Sequence, residues 1–265
     1  MLAHIQNLIW EAPKSAVHRG RTRIFLARLC LGCGIVRHLR TGALVALLVA
    51  TVFASTAAAA LVGIYRNSMD SKAQLAEIIK LSGRSCGRAG TGHALRVTVG
   101  KGTKECSYRT PPVGRDLEIA ATARLLSGTP KSLQKATFVA LNLRAGGGAR
   151  YQLAVYPMQR KAQLRKIHSD GTIEYLDVEK DLSKVRGLDK ANELRLRAFN
   201  ITEGDEKGDC RLLAFVGGQP VSNAVDEAAG ELAGRASGFS VGSAKVAKGA
   251  QASFDDVVVR IPSPY

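Results

Sequence analysis

Three groups of residues combine types and spacings that could do chemistry. The first is Asp255–Asp256, in the closing stretch FDDVVVRIPSPY of residues 254–265. Adjacent carboxylates suggest calcium, but calcium takes about six to eight oxygen ligands. Neighbouring side chains on a strand point to opposite faces. Alternation predicts Phe254, Asp256 and Val258 on one face and Asp255, Val257 and Val259 on the other. The pair is expected to shape the strand rather than to hold a metal. The second group is Glu174, Asp177, Glu179 and Asp181 in IEYLDVEKD. Glycoside hydrolysis needs two carboxyl groups roughly 5–9.5 Å apart. Asp177, Glu179 and Asp181 alternate as one strand face would, yet no aromatic shelf accompanies them, so a solvated face is the expectation. The third group is basic. QRKAQLRK places Arg160, Lys161, Arg165 and Lys166 close together, and RLR adds Arg195 and Arg197 on one strand face. Arg160, Lys161, Arg195 and Arg197 are the candidate ligand-binding surface, which would attract an anionic polymer or lipid headgroups.

Other candidates carry less. Cys30 and Cys33 lack the four ligands of a zinc site, with only His18 and His38 near. Juxtamembrane S-acylation is an alternative for these thiols. VGKGT at 99–103 has Leu95 where a phosphate loop needs its first glycine, and no helix follows. NIT at 200–202 is a glycosylation sequon. Sugar-binding aromatic platforms would have to come from Tyr108, Tyr151, Tyr156 or Tyr175, because the one tryptophan, Trp10, lies near the N-terminus. No cofactor and no catalytic residue is expected.

The elements that must position these residues are strands. ALRVTV, LEIAATARLL, ATFVALNLRA, RYQLAVYP, QLRKI, ELRLRAFNI, CRLLAFV and FDDVVVRI are short, partly alternating runs separated by turn formers. Gly217–Gly218 fits a two-residue hairpin. Before the strands, SKAQLAEIIKLSG has Ser71 and Gln74 at capping-box spacing, with Leu75, Ile78 and Ile79 on one face and Gly83 as the stop. A short connector helix is predicted within 66–85.

Charge divides the chain further. The net charge is +16, from 38 Lys+Arg against 22 Asp+Glu. Residues 1–41 form a basic tail, expected to be partly disordered and to set topology, with an amphipathic surface helix as the alternative. TGALVALLVATVFASTAAAALVGIY, residues 41–65, carries no charge. A span of about 20 apolar residues crosses a bilayer, so 42–65 is predicted to be a signal-anchor helix, with Tyr65 at the interface and the basic N-terminus cytoplasmic. The alternative is a cleaved signal peptide followed by secretion. Either way residues 66–265 are exported, outside the membrane, where nucleic acid is not an expected partner. Cys86, Cys106 and Cys210 then lie in a disulfide-permissive space. Cys86–Cys106 closes a short loop and is the preferred pair; Cys210 is left as a buried thiol or an alternative partner.

The order YQLAVYP, RKAQLRKI, NELRLRAF, CRLLAFVGGQPV, GRASGFSVGS and ASFDDVVVRIP resembles the concanavalin A-like (laminin G-like) jelly rolls of bacterial exported or membrane-anchored proteins, over residues 86–262. One departure is Gly217, where the hairpin usually carries Asn. The resemblance implies an all-β antiparallel sandwich in which the Asp after Phe254 fixes the last strand through turn hydrogen bonds. It implies that IEYLDVEKD is a loop. It also frames the functional expectation: a membrane-anchored extracytoplasmic binding or structural module for a cell-wall glycan or anionic polymer. The alternatives are a wall glycan hydrolase of the same fold and a sensor that contacts a membrane or cytoplasmic protein.

Overall fold

The computed structural model describes residues 61–202, 204–232, 234–244 and 248–262. They form an antiparallel β-sandwich with two short helices, α1 (Lys72–Glu77) and α2 (Lys131–Gln134). In chain order the strands are β1 (Leu61–Asn67), β2 (Ile79–Ser82), β3 (Cys86–Gly90), β4 (Leu95–Val99), β5 (Glu105–Val113), β6 (Leu117–Leu125), β7 (Thr137–Gly146) and β8 (Ala149–Tyr156). They continue as β9 (Lys161–Ile167), β10 (Ile173–Glu179), β11 (Asn192–Asn200), β12 (Cys210–Val216), β13 (Gln219–Asp226), β14 (Ala236–Ser243) and β15 (Gln251–Pro262).

Sheet I runs β13-β12-β11-β6-β15-β4-β3, with β1 also paired to β15. Sheet II runs β10-β9-β8-β7-β14-β5-β2. Alternate residues of both sheets meet in one apolar core, including Leu194 and Leu196 from β11, Val139 and Leu141 from β7, and Phe239 against Phe254 at 4.4 Å between ring centroids. The β12–β13 hairpin turns on Gly217 and Gly218, both at positive φ (56° and 78°), as a two-residue turn of the primed type requires.

The chain enters the sandwich earlier than the sequence suggests. Strand β1 pairs with Val257–Pro262 of β15, so residues 61–65 of the expected membrane span are sheet, not helix. Tyr65 is not an interfacial anchor; its hydroxyl donates to Glu77 Oε2 at 3.0 Å, and burial pushes its pKa up to about 12. Residues 42–60 and the basic tail 1–41 lie outside the described residues. Among the described residues no helix is long and apolar enough to cross a membrane. Residues 66–85 are likewise part of the sandwich. The capping box forms as its spacing predicts, with Ser71 Oγ accepting from Gln74 N–H. The helix ends at Glu77, however, and Ile79 starts the edge strand β2. Ile78 is fully buried whereas Ile79 is 44% exposed, so the two do not share a face.

Two further local patterns misled. Pro111 and Pro112, among the turn formers set between the strand runs, in fact end strand β5, where its ladder to β14 is interrupted between Ala236 and Gly238 and needs no proline N–H. IEYLDVEKD is not a loop; residues 173–179 are edge strand β10, paired with β9. Cys86 and Cys106 are joined by a disulfide that ties β3 in sheet I to β5 in sheet II. Cys210 is free and buried, and burial pushes its thiol up to about 11.

Candidate functional site

The outer face of sheet II carries the site. Along β7, Val139, Leu141 and Leu143 enter the core, so Phe138, Ala140 and Asn142 face the other way. The same alternation turns Arg150, Gln152, Ala154 and Tyr156 of β8 outward, beside Lys161, Gln163, Arg165 and Ile167 of β9. Glu105 and Ser107 of β5 and Ser240 and Gly242 of β14 complete the row. Small residues lie in the middle, and larger ones stand around them. The result is a groove of about 560 Å³ lined by Lys104, Glu105, Phe138, Arg150, Tyr156, Arg165, Ile173 and Tyr175 among others.

Its floor is a hydrogen-bonded relay. Glu105 accepts from Arg150 Nη2 at 2.8 Å, from Gln152 Nε2 at 2.8 Å and from Ser107 Oγ at 2.9 Å. Burial works against the Glu105 charge. Arg150, Ser240, Arg165 and Gln152 outweigh it and hold the carboxyl below its ordinary range. Gln152 Nε2 also reaches Asn142 Oδ1 at 2.8 Å, and its Oε1 accepts from Arg165 Nε at 2.8 Å. A buried amide can serve both neighbours because it carries donors and acceptors together. The Arg165 guanidinium lies over the Phe138 ring at 4.5 Å, and Lys161 lies 5.0 Å from the Tyr156 ring. Phe138 can lie flat here because a Cβ on Gly242 would come within 2.5 Å of its ring. At the sheet edge Ile173 is 40% and Tyr175 54% exposed, an apolar lip beside the polar floor.

The four basic candidates do not form one surface, because β9 and β11 belong to different sheets. Arg160 and Lys161 sit beside the groove, Arg160 exposed at φ 48°. Arg195 and Arg197 lie on the outer face of sheet I. There Arg195 stacks over Phe215 at 3.9 Å. Arg197 and Arg260 converge on the buried Glu118, at 2.8 and 2.7 Å. A shallower hollow of about 280 Å³ includes Arg195, Phe215 and Arg260. Of the other basic residues in QRKAQLRK, Arg165 is in the groove floor. Lys166 points into the sandwich, 3.0 Å from Asp226, which also accepts from Tyr151 Oη at 2.5 Å.

The acidic candidates are structural in placement. Glu174 lies 3.3 Å from His168, and the β10 carboxylates sit on an exposed edge strand. At Asp255–Asp256 the strand does not alternate. The register slips between Asp255 and Val258, and Asp256 adopts φ 47°. This bulge buries both Phe254 and Val257, which simple alternation had placed on opposite faces, and leaves Asp256 exposed. Asp255 Oδ1 accepts the Asp256 N–H at 2.7 Å, a local bond of the kind the resemblance implies. Burial lifts the Asp255 carboxyl above its ordinary range. Among the described residues no three His, Cys, Asp or Glu side chains gather as a metal site would require.

Glu105, Phe138, Asn142, Arg150, Gln152 and Ser240 were not legible as a site in the sequence. One signal existed: Asn142 and Gln152 interrupt strongly apolar strands at outward positions and pair directly across β7 and β8.

No known protein family matches the chain, and no curated protein matches it in sequence. Solved structures do. A Bacillus subtilis protein of unknown function with a galectin-like fold superposes with a TM-score of 0.53 at 14% identity, over 76% of this chain and 97% of that one. The fold is galectin-like. A carbohydrate-binding module from Bacillus subtilis is similar at TM-score 0.49 and 15% identity, covering 68% of this chain and 93% of that chain. An alginate lyase is similar at TM-score 0.44 and 12% identity, covering 69% and 96%.

Proposed function

We propose that the sandwich is a glycan-binding module that takes its ligand in the sheet II groove and performs no catalysis on it. The supporting observation is the pairing of a preorganised polar floor, Glu105–Gln152–Arg165, with the exposed lip of Ile173 and the Tyr175 ring. Saccharides present hydroxyls on their edges and C–H faces above and below, and this groove offers partners for both. Glu105, the carboxylate in the floor, is not set up as a general acid. A general acid must hold its proton near neutral pH, whereas three donors clamp Glu105 in its ionised form.

The same reading places the module outside a cell membrane, anchored by residues 42–60 with the basic tail inside. That segment still meets the minimum of about 17 residues for a span. The Cys86–Cys106 bridge supports an oxidising location. A cell-wall glycan is the ligand class that such a location offers.

The test is to apply the full chain, held in detergent, to a panel of immobilised glycans alongside Tyr175→Ala and Arg195→Ala variants. Saturable binding that Tyr175→Ala weakens and Arg195→Ala leaves intact supports the groove. Binding to no glycan contradicts the proposal.

A further inference from the structure

The groove contains a buried guanidinium that no carboxylate touches, although the Glu105 charge is near enough to feel it. Arg165 is 4% exposed, and among the described residues no carboxylate lies within ion-pair distance of it. A guanidinium carries five N–H donors. Arg165 uses three, Nε and Nη2 on Gln152 Oε1 and Nη1 on Tyr156 Oη, the last at a long 3.4 Å. Two donors remain without a hydrogen-bond partner among the described residues. Arg150, which lines the same groove, adds a buried Nε with no partner among the described residues. Burying a charge without a paired opposite charge is costly, and a planar guanidinium matches a carboxylate in a two-point fork.

The nearby carboxylates make no direct bond to Arg165. Glu105 is occupied by Arg150, Gln152 and Ser107. Asp170 stands exposed at the rim, where its Oδ1 accepts the Thr172 N–H at 2.8 Å. Lys104 adds a further positive charge to the lining.

We infer that the groove takes an acidic sugar, whose carboxylate seats against Arg165 in the floor. This rests on the glycan reading above and narrows its ligand to uronate-type saccharides. The aromatic lip would hold the ring face, and the Arg165 fork would select the charge.

The experiment compares oligogalacturonide, oligomannuronide and oligoguluronide with their methyl esters, by calorimetric titration into the full chain. Each acid–ester pair differs in the carboxylate charge and one methyl group. At least one acid is expected to bind, with its ester about tenfold to a hundredfold weaker, the range for a hydrogen bond to a charged group. Arg165→Gln is expected to erase that preference and Arg165→Lys to restore part of it. The acid–ester comparison needs only the unaltered protein, so it stands even if the variants fold poorly. Equal affinity for acid and ester, or binding to neutral glycans alone, overturns the acidic-sugar inference and leaves the glycan module standing. Binding to no glycan, acidic or neutral, overturns both.

Discussion

Replacing Glu105 by Gln tests whether the groove floor is a charged relay or a passive surface. The change keeps shape and removes one acceptor and the negative charge. Three donors now converge on the carboxylate, at 2.8, 2.8 and 2.9 Å. In the variant an amide NH₂ faces at least one of them, and Arg150 loses its counter-ion. A hydrogen bond to a charged group contributes about 1.5–3 kcal/mol, and breaking a buried ion pair costs about 3–5 kcal/mol. Neither group is fully sealed, with side chains 17% and 13% exposed, so the lower end applies, about 3 kcal/mol. At about 2–4 °C per kcal/mol for a domain of this size, the melting temperature should fall by about 6–12 °C. The pH dependence follows from the direction of the Glu105 shift. Its folded pKa lies below the unfolded value of about 4.3, so its contribution is full above that pH and is lost as pH falls through the folded pKa. The gap in melting temperature between the two proteins should therefore be constant from pH 7 to pH 5 and narrow below about pH 4. Scanning calorimetry across that range is the assay. A shift under about 2 °C at pH 7, or a gap that widens in acid, would refute the relay.

Three further outcomes are expected. Tyr175→Ala should weaken glycan binding by about fivefold to tenfold, as for loss of one exposed ring face, with little change in melting temperature; a large stability loss in calorimetry would instead make the ring structural. Reducing Cys86–Cys106, or replacing both by Ser, opens a loop with a sequence separation of 20 and should cost about 3 kcal/mol in urea titrations. Lys166→Met leaves Asp226 buried without its ammonium and should cost about 3–5 kcal/mol. The Lys166→Met/Asp226→Asn pair should recover part of that, and a double mutant no better than the single would show that the two charges are not coupled.

The strands with strong β-branched and apolar alternation were legible: β4, β6, β7, β8, β11 and β12 follow their sequence runs closely. So did the Gly217–Gly218 turn and the Ser71 capping box, because each rests on a local requirement that one or two residues satisfy. What stayed hidden depends on long-range pairing. Strand β1 reads as the end of an apolar span until β15, nearly two hundred residues later, supplies its ladder. The bulge at Asp255–Asp256 is invisible to a period-two reading because the extra residue is set by the register with β6. The groove was hidden for a related reason. Its floor residues come from β5, β7, β8, β9 and β14, and a basic run such as QRKAQLRK does not disclose that Arg165 and Lys166 face opposite sides of one sheet.

The most direct measurement is the structure of the chain with a bound saccharide, or a ligand-induced NMR shift map of it. The sugar should contact Tyr175, Tyr156 and Arg165 on the outer face of sheet II. A saccharide seated instead against Arg195 and Phe215 on sheet I would contradict the groove as the binding site.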